Sequence, residues 1–115
     1  MNLLFVCSKN KWRSPTAEKI YQNRPFVQVK SAGTSKQAKR KLSNSDIQWA
    51  DIIFVMESKH KERILSEFRN LIRNKTIYIL KIPDKFGYMD QTLIEKIKAA
   101  VDPILASVLN RPPQE

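Results

Sequence analysis

The sequence predicts an α/β sandwich built on parallel strands. Three observations carry that expectation: four short apolar runs spread along the chain, helical periodicity between and after them, and a length of 115 residues that suits one domain. Strands that alternate with helices pair in parallel, because the intervening helix supplies the crossover. A domain of this size buries roughly two-thirds of the surface its unfolded chain exposes, enough for a core without staples.

The elements follow in order. Residues 2 to 7, "NLLFVC", are a nearly continuous apolar run, as expected of a strand buried on both faces. Ser14-Pro15 then opens a helix, with Ala17, Ile20 and Tyr21 on one face. "FVQVKS" at 26 to 31 alternates and reads as an edge strand. The segment 34 to 46, "TSKQAKRKLSNSD", is polar and basic, a surface connection. A third strand covers "DIIFVM" at 51 to 56, with Asp51 at its start. The next helix carries Ile64, Leu65, Phe68, Leu71 and Ile72 at helical spacing, with His60 on an exposed face of its polar "SKHKER" start. A fourth strand, "TIYILKI", covers 76 to 82. The last helix carries Leu93, Ile94, Ile97, Ala100, Val101, Ile104, Leu105 and Val108, and Pro103 should kink it or end its first half. The domain is placed at 1–110, with "RPPQE" at 111–115 a flexible tail.

Composition narrows the function. One cysteine excludes an intrachain disulfide, and with a single histidine it leaves no cysteine-rich zinc site, so no metal or cofactor is expected. Lysine plus arginine number 21 against 11 acids, a net charge of +10 that favours anionic partners. The run "KQAKRK" has little of the aromatic interleaving that single-strand binders use, which disfavours nucleic acid despite the charge. No apolar run reaches the ~18 residues of a spanning helix, and the start has no basic region before its apolar segment. The expectation is a cytoplasmic protein without membrane association.

The chemistry concentrates in "VCSKNKWRSPTAE", residues 6 to 18. In α/β sheets ligands bind beyond the carboxyl ends of the strands, and Cys7 ends the first strand. Phosphate-ester cleavage needs an ionised nucleophile and preorganised donors for the non-bridging oxygens. An arginine and a helix N-terminus nearby favour a thiolate. A short loop of converging amides makes an anion nest, and Arg13 adds a planar fork matching two phosphoryl oxygens. Ser14 can cap the helix or donate to the Cys7 sulfur, and Asn10 tolerates a left-handed backbone. Cys7 and Arg13 are thus the catalytic candidates. Ser8, Lys9, Asn10, Lys11, Trp12 and Ser14 are the substrate-binding ones.

This stretch resembles the signature of the low-molecular-weight protein tyrosine phosphatases, Cys-x-Gly-Asn-x-x-Arg-Ser followed by Pro and Ala-Glu. The resemblance continues in order through "SAGTS" at 31 to 35, "WADIIFVMESKHKERI" at 49 to 64 and "IPDKFGYMD" at 82 to 90, nearest to the shorter predicted-phosphatase branch. It implies a three-layer sandwich with a four-stranded parallel sheet in flavodoxin-like topology. It implies Cys7 as nucleophile, Arg13 as phosphate clamp, Asn10 as loop orienter and Ser14 as thiolate donor. Three departures stand out: Lys9 in place of the glycine, Trp12 where many members have a second cysteine, and Lys85 after Asp84 where the family has proline.

Asp84 should reach the same carboxyl edge as Cys7 and is the candidate general acid, or else a loop carboxylate capping a turn. Asp90, opening "DQTLIEKI", competes for the role but has the look of a helix N-cap. Phe86 and Tyr88 could wall the pocket mouth or simply cover the core edge. The function expected is a cysteine-dependent phosphatase acting on phosphotyrosine or other aryl phosphates, in a phosphorylated protein or a small molecule, through a phosphocysteine. The alternatives are a catalytically weak phospho-ligand binding module on the same fold, an arsenate reductase relying on an external thiol, and a basic nucleic-acid binder. Natural substrate and oligomeric state are open.

Overall fold

The computed structural model describes residues 1–109, so the tail at 111–115 and the boundary at 110 lie outside the described residues. Eight elements alternate: β1 (Asn2–Cys7), α1 (Arg13–Tyr21), β2 (Gln28–Gly33), α2 (Asn44–Trp49), β3 (Ile52–Val55), α3 (Ser58–Glu67), β4 (Thr76–Ile79) and α4 (Gln91–Leu109). The four strands form one parallel sheet in the order β2-β1-β3-β4. Strand order reverses at β1, whose carboxyl end carries Cys7. That is the crevice where ligands bind in open α/β sheets.

Side chains alternate across the sheet and feed two cores. Leu3, Phe5 and Cys7 of β1, with Ile52 and Phe54 of β3, face Ala17 and Tyr21 of α1 and Leu93, Ile97, Val101 and Leu105 of α4. Leu4 and Val6, with Ile53 and Val55, face Ile47 of α2 and Ile64 of α3. The central strands are thus buried on both faces, which is why they read as unbroken apolar runs. An aromatic row of Tyr21, Phe5, Phe54 and Tyr78 stacks across the first face at centroid separations of 5.8, 5.1 and 5.7 Å. No described helix is long and apolar enough to cross a membrane.

Several boundaries differ from the sequence expectation for physical reasons. β2 begins at Gln28 rather than 26, because exposed Phe26 takes φ 69 in the preceding turn. β4 stops at Ile79, and two residues on Lys81 turns at φ 58. The supposed surface connection ends in a helix: Ser43 Oγ accepts from the Asp46 amide and Asp46 accepts from the Ser43 amide, a capping box that nucleates α2. Arg40, exposed in that same basic run, is also pinned, donating to the Ser31 carbonyl at 2.7 Å and pairing with buried Asp46. α3 ends at Glu67, so Leu71 and Ile72 pack on the second core from beyond the helix. α4 continues through Pro103, which is exposed; so is Ala99, the residue four before it whose carbonyl the proline cannot engage.

Candidate active site

Loop 8–12 joins the end of β1 to the start of α1. Its carbonyls are tied outward: those of Cys7, Ser8 and Lys9 accept from the amides of Thr34, Ser35 and Lys39 at 3.0, 2.9 and 2.9 Å. A trans peptide points its N–H opposite its C=O, so the amides of Ser8, Lys9 and Asn10 face away from that segment. Gly33 permits the close approach. A Cβ there would lie 2.5 Å from the Ser8 carbonyl oxygen and 2.9 Å from the Asn10 nitrogen.

Asn10 is the loop's turning point, buried, with φ 54. Its Nδ2 donates to both Ser14 Oγ and Ser31 Oγ at 2.9 Å. Ser31 in turn donates to Glu18, a carboxylate that only accepts, which fixes the direction of the whole chain of bonds. Ser14 Oγ therefore accepts from Asn10 and has its own proton for Cys7 Sγ, 2.9 Å away, in preference to the Ala32 carbonyl at 3.4 Å. Ser14 does not cap the helix. α1 starts at Arg13 with Trp12 at the cap position and no side-chain cap, and Pro15 sits at the third helical position, where its missing N–H is one the helix leaves unpaired.

Arg13 is only 1% exposed. One guanidinium nitrogen, Nη1, is held by Glu57 and by the Ile82 carbonyl at 2.8 Å. Its Nε lies 3.7 Å from Asp84 Oδ1 and is buried with no hydrogen-bond partner among the described residues. The guanidinium holds the Glu57 carboxyl below its usual range, chiefly through that hydrogen bond. A cavity of about 30 Å³ is lined by Cys7, Lys9, Lys11, Trp12, Arg13 and Asp84. Lys11 lies over the exposed Trp12 ring, 4.8 Å from its centroid. Lys9 is absent from the residues of positive φ, so a side chain stands there without left-handed strain.

The structure separates the two aspartates. Asp84 lies at the cavity with Cys7 and Arg13, whereas Asp90 Oδ1 accepts from the Thr92 and Leu93 amides at 2.8 and 3.2 Å and so caps α4. Phe86 packs half-buried on the first core and Tyr88 is exposed; neither lines the cavity. Asp51 pairs with the Asn2 backbone at the strand start.

His60 corrects the sequence expectation. It is 1% exposed rather than on an open helix face. Its Nδ1 accepts from the Glu57 amide at 3.0 Å, which puts the proton on Nε2, and Nε2 donates to Ser8 Oγ at 2.8 Å. Burial, and next the charge of Arg13, lower its pKa to about 4, so the ring is neutral at pH 7. Sequence reasoning also missed Glu57, Ser31, Glu18 and the packing role of Gly33. Glu57 had a usable signal: it follows the third strand at the same sheet edge as Cys7.

Comparison with solved structures decides the fold family. YwlE arginine phosphatase from Geobacillus stearothermophilus superposes with a TM-score of 0.70 at 22% identity, over 99% of both chains. SP-PTP, a low molecular weight protein tyrosine phosphatase from Streptococcus pyogenes, superposes with a TM-score of 0.71 at 16% identity, over 93% of this chain and 92% of that one. The chain has the low-molecular-weight protein tyrosine phosphatase fold. In sequence it is 33% identical to a protein-arginine-phosphatase of Geobacillus stearothermophilus, the match covering 57% of this chain and 61% of that relative. No family model matches. Within the low-molecular-weight phosphatase fold, the loop after β1 is where Cys7, Arg13 and Asp84 converge.

Proposed function

We propose that the protein is a cysteine-dependent phosphatase that removes phosphoryl groups from protein side chains, with phosphotyrosine as substrate. The single observation that carries the reading is Arg13 Nε, buried with no hydrogen-bond partner among the described residues, at the cavity that Cys7 also lines. An unpaired buried donor is costly, and a phosphoryl oxygen satisfies it.

The steps balance as follows. Cys7 Sγ, as thiolate, attacks phosphorus; the S–P bond forms as the ester P–O bond breaks. Arg13 and the loop amides hold the equatorial oxygens, where charge must be stabilised by donors already in place. Asp84 gives its proton to the leaving phenol oxygen. Water then attacks phosphorus and returns a proton to Asp84, the S–P bond breaks, and phosphate leaves with the thiolate restored. Ser14 donates to the sulfur in both thiolate states, and Asn10 holds Ser14 in that orientation.

A second reading, phosphoarginine as substrate, is favoured by the similarity to a protein-arginine-phosphatase. Against it stand Lys9 and Lys11 at the cavity, which repel a cationic leaving group. Hydrolysis of a phosphotyrosine peptide and of the same peptide carrying phosphoarginine decides between them. Phosphotyrosine should have the higher kcat/KM, and Cys7→Ser should abolish turnover while still binding inorganic phosphate. A preference for phosphoarginine overturns the substrate assignment, and turnover by Cys7→Ser overturns the covalent mechanism.

A further inference from the structure

A second, larger cavity adjoins the loop on its other side, about 450 Å³ in volume and lined by Ser8, Thr34, Ser35, Lys36, Gln37, Lys59, His60 and Arg63. Three cations converge on it and no carboxylate lines it. Lys59 is 3.8 Å from Glu57 and Arg63 pairs with Glu67, while Lys36 has no ion pair among the described residues. Two hydroxyls have uncommitted protons. Ser8 Oγ accepts from His60 Nε2, and Ser35 Oγ accepts from the Gln37 amide at 3.0 Å, which leaves each O–H free to donate. Such a surface asks for an anion that accepts hydrogen bonds.

We propose that this cavity receives a carboxylate side chain flanking the phosphorylated residue of a protein substrate. The inference rests on the phosphatase reading and adds the sequence context of its substrate: acidic residues next to the phosphorylated one. Geometry supports the pairing. Ser8 lines this cavity and its neighbours Cys7 and Lys9 line the catalytic one, so the two share a wall one residue thick. An extended substrate advances roughly 3.3 Å per residue, which brings a side chain one or two positions from the phosphorylated one within range. The charge of +10 steers the same class of partner at long range.

The test compares two phosphotyrosine peptides, one with aspartates flanking the phosphorylated residue and one with alanines, against wild type and the double variant Lys36→Gln/Arg63→Gln. Lys59 is left in place so that Glu57, and through it Arg13, keeps its surroundings. Wild type should favour the acidic peptide by about five- to tenfold in kcat/KM, the advantage shrinking in 0.5 M salt. The double variant should lose most of that advantage, while the alanine peptide and p-nitrophenyl phosphate change less than about twofold. Equal kcat/KM for the two peptides in wild type, or a variant that slows all three substrates alike, overturns the proposal and leaves the phosphatase reading intact. If wild type hydrolyses no substrate, the phosphatase reading fails instead, and binding of the unphosphorylated acidic peptide then reads the cavity. Weaker binding to the double variant supports the anion site, whereas equal binding, or displacement by a single-stranded RNA of equal charge, overturns it.

Discussion

Mild acid should destabilise this protein through one side chain. His60 is the only histidine in the chain, so its contribution can be isolated with one substitution. Buried against Ser8 and the start of α3, with Arg13 and Lys59 opposing its charge and Glu57 and Asp84 favouring it less strongly than burial and Arg13 oppose it, the ring has a pKa of about 4 against an ordinary 6.5. Protonation would also place a second N–H at Nδ1, facing the Glu57 amide 3.0 Å away, donor against donor. The unfolded chain takes up its proton near pH 6.5 and the folded chain does not until about pH 4. Between these values the unfolded state binds more protons, so stability is full above pH 6.5 and falls as the pH drops. At about 1.4 kcal/mol per unit the loss reaches about 3 kcal/mol by pH 4, a large share of the ~5–15 kcal/mol typical of a domain. Glu57, with its carboxyl held below 4.5, loses its contribution only below that value, so from 6.5 to 4.5 the difference between wild type and a variant without the imidazole isolates the histidine. His60→Gln keeps a donor toward Ser8 but loses the backbone cap, at a cost of about 1 kcal/mol at pH 7. Urea unfolding of both proteins at half-unit steps from pH 7 to 4.5 should give a steep decline for wild type and a shallow one for the variant. A histidine Cε1 proton that titrates near 6.5, or equal slopes in the two proteins, refutes the argument.

Arg13→Lys should lower kcat/KM for an aryl phosphate well over tenfold, about 2–4 kcal/mol of transition-state stabilisation, because lysine cannot span Glu57, Ile82 and a phosphoryl group with one planar fork. Steady-state kinetics with p-nitrophenyl phosphate checks it. Asp84→Asn should slow phenyl phosphate far more than p-nitrophenyl phosphate, whose leaving group needs little protonation. Asp90→Ala should cost about 1 kcal/mol of stability as a lost cap, with no leaving-group dependence. Gly33→Ala should impair phosphate binding more than folding, since the added methyl meets loop backbone at Ser8 and Asn10; isothermal titration with phosphate and a melting curve separate the two effects.

The parallel sheet was readable in the sequence because β1 and β3 are buried on both faces and show it as unbroken apolar runs. The edge strands were harder: β2 and β4 are only partly buried, and their ends are set by Phe26 and Lys81 turning left-handed, which neither residue type advertises. α2 was hidden by its brevity, six residues, although the Ser43 to Asp46 spacing marks its start. In the site, Cys7, Asn10, Arg13 and Ser14 lie within eight residues, so local spacing exposed them. Glu57 and His60 reach the loop from the end of β3, next to β1 only once the sheet has formed. Polar residues around His60 suggested solvent, but burial there follows the Ser8 contact rather than the helix's own pattern.

The same tertiary support explains why Lys9 can stand where related loops have glycine. A glycine is required where the backbone turns left-handed or where another chain presses on the Cα. Here the left-handed residue is Asn10, one position later, and its amide bonds to Ser14 and Ser31 hold it there. The close approach is met from the opposite side, by Gly33 of β2 against the Ser8 carbonyl and the Asn10 nitrogen. Lys9 is left with an ordinary backbone, a carbonyl anchored by Lys39 and a side chain free to stand at the cavity. Lys9 therefore adds a cation beside Cys7 and Arg13 without straining the loop, so the departure from the glycine pattern is compatible with the fold and, on the proposed function, bears on substrate charge.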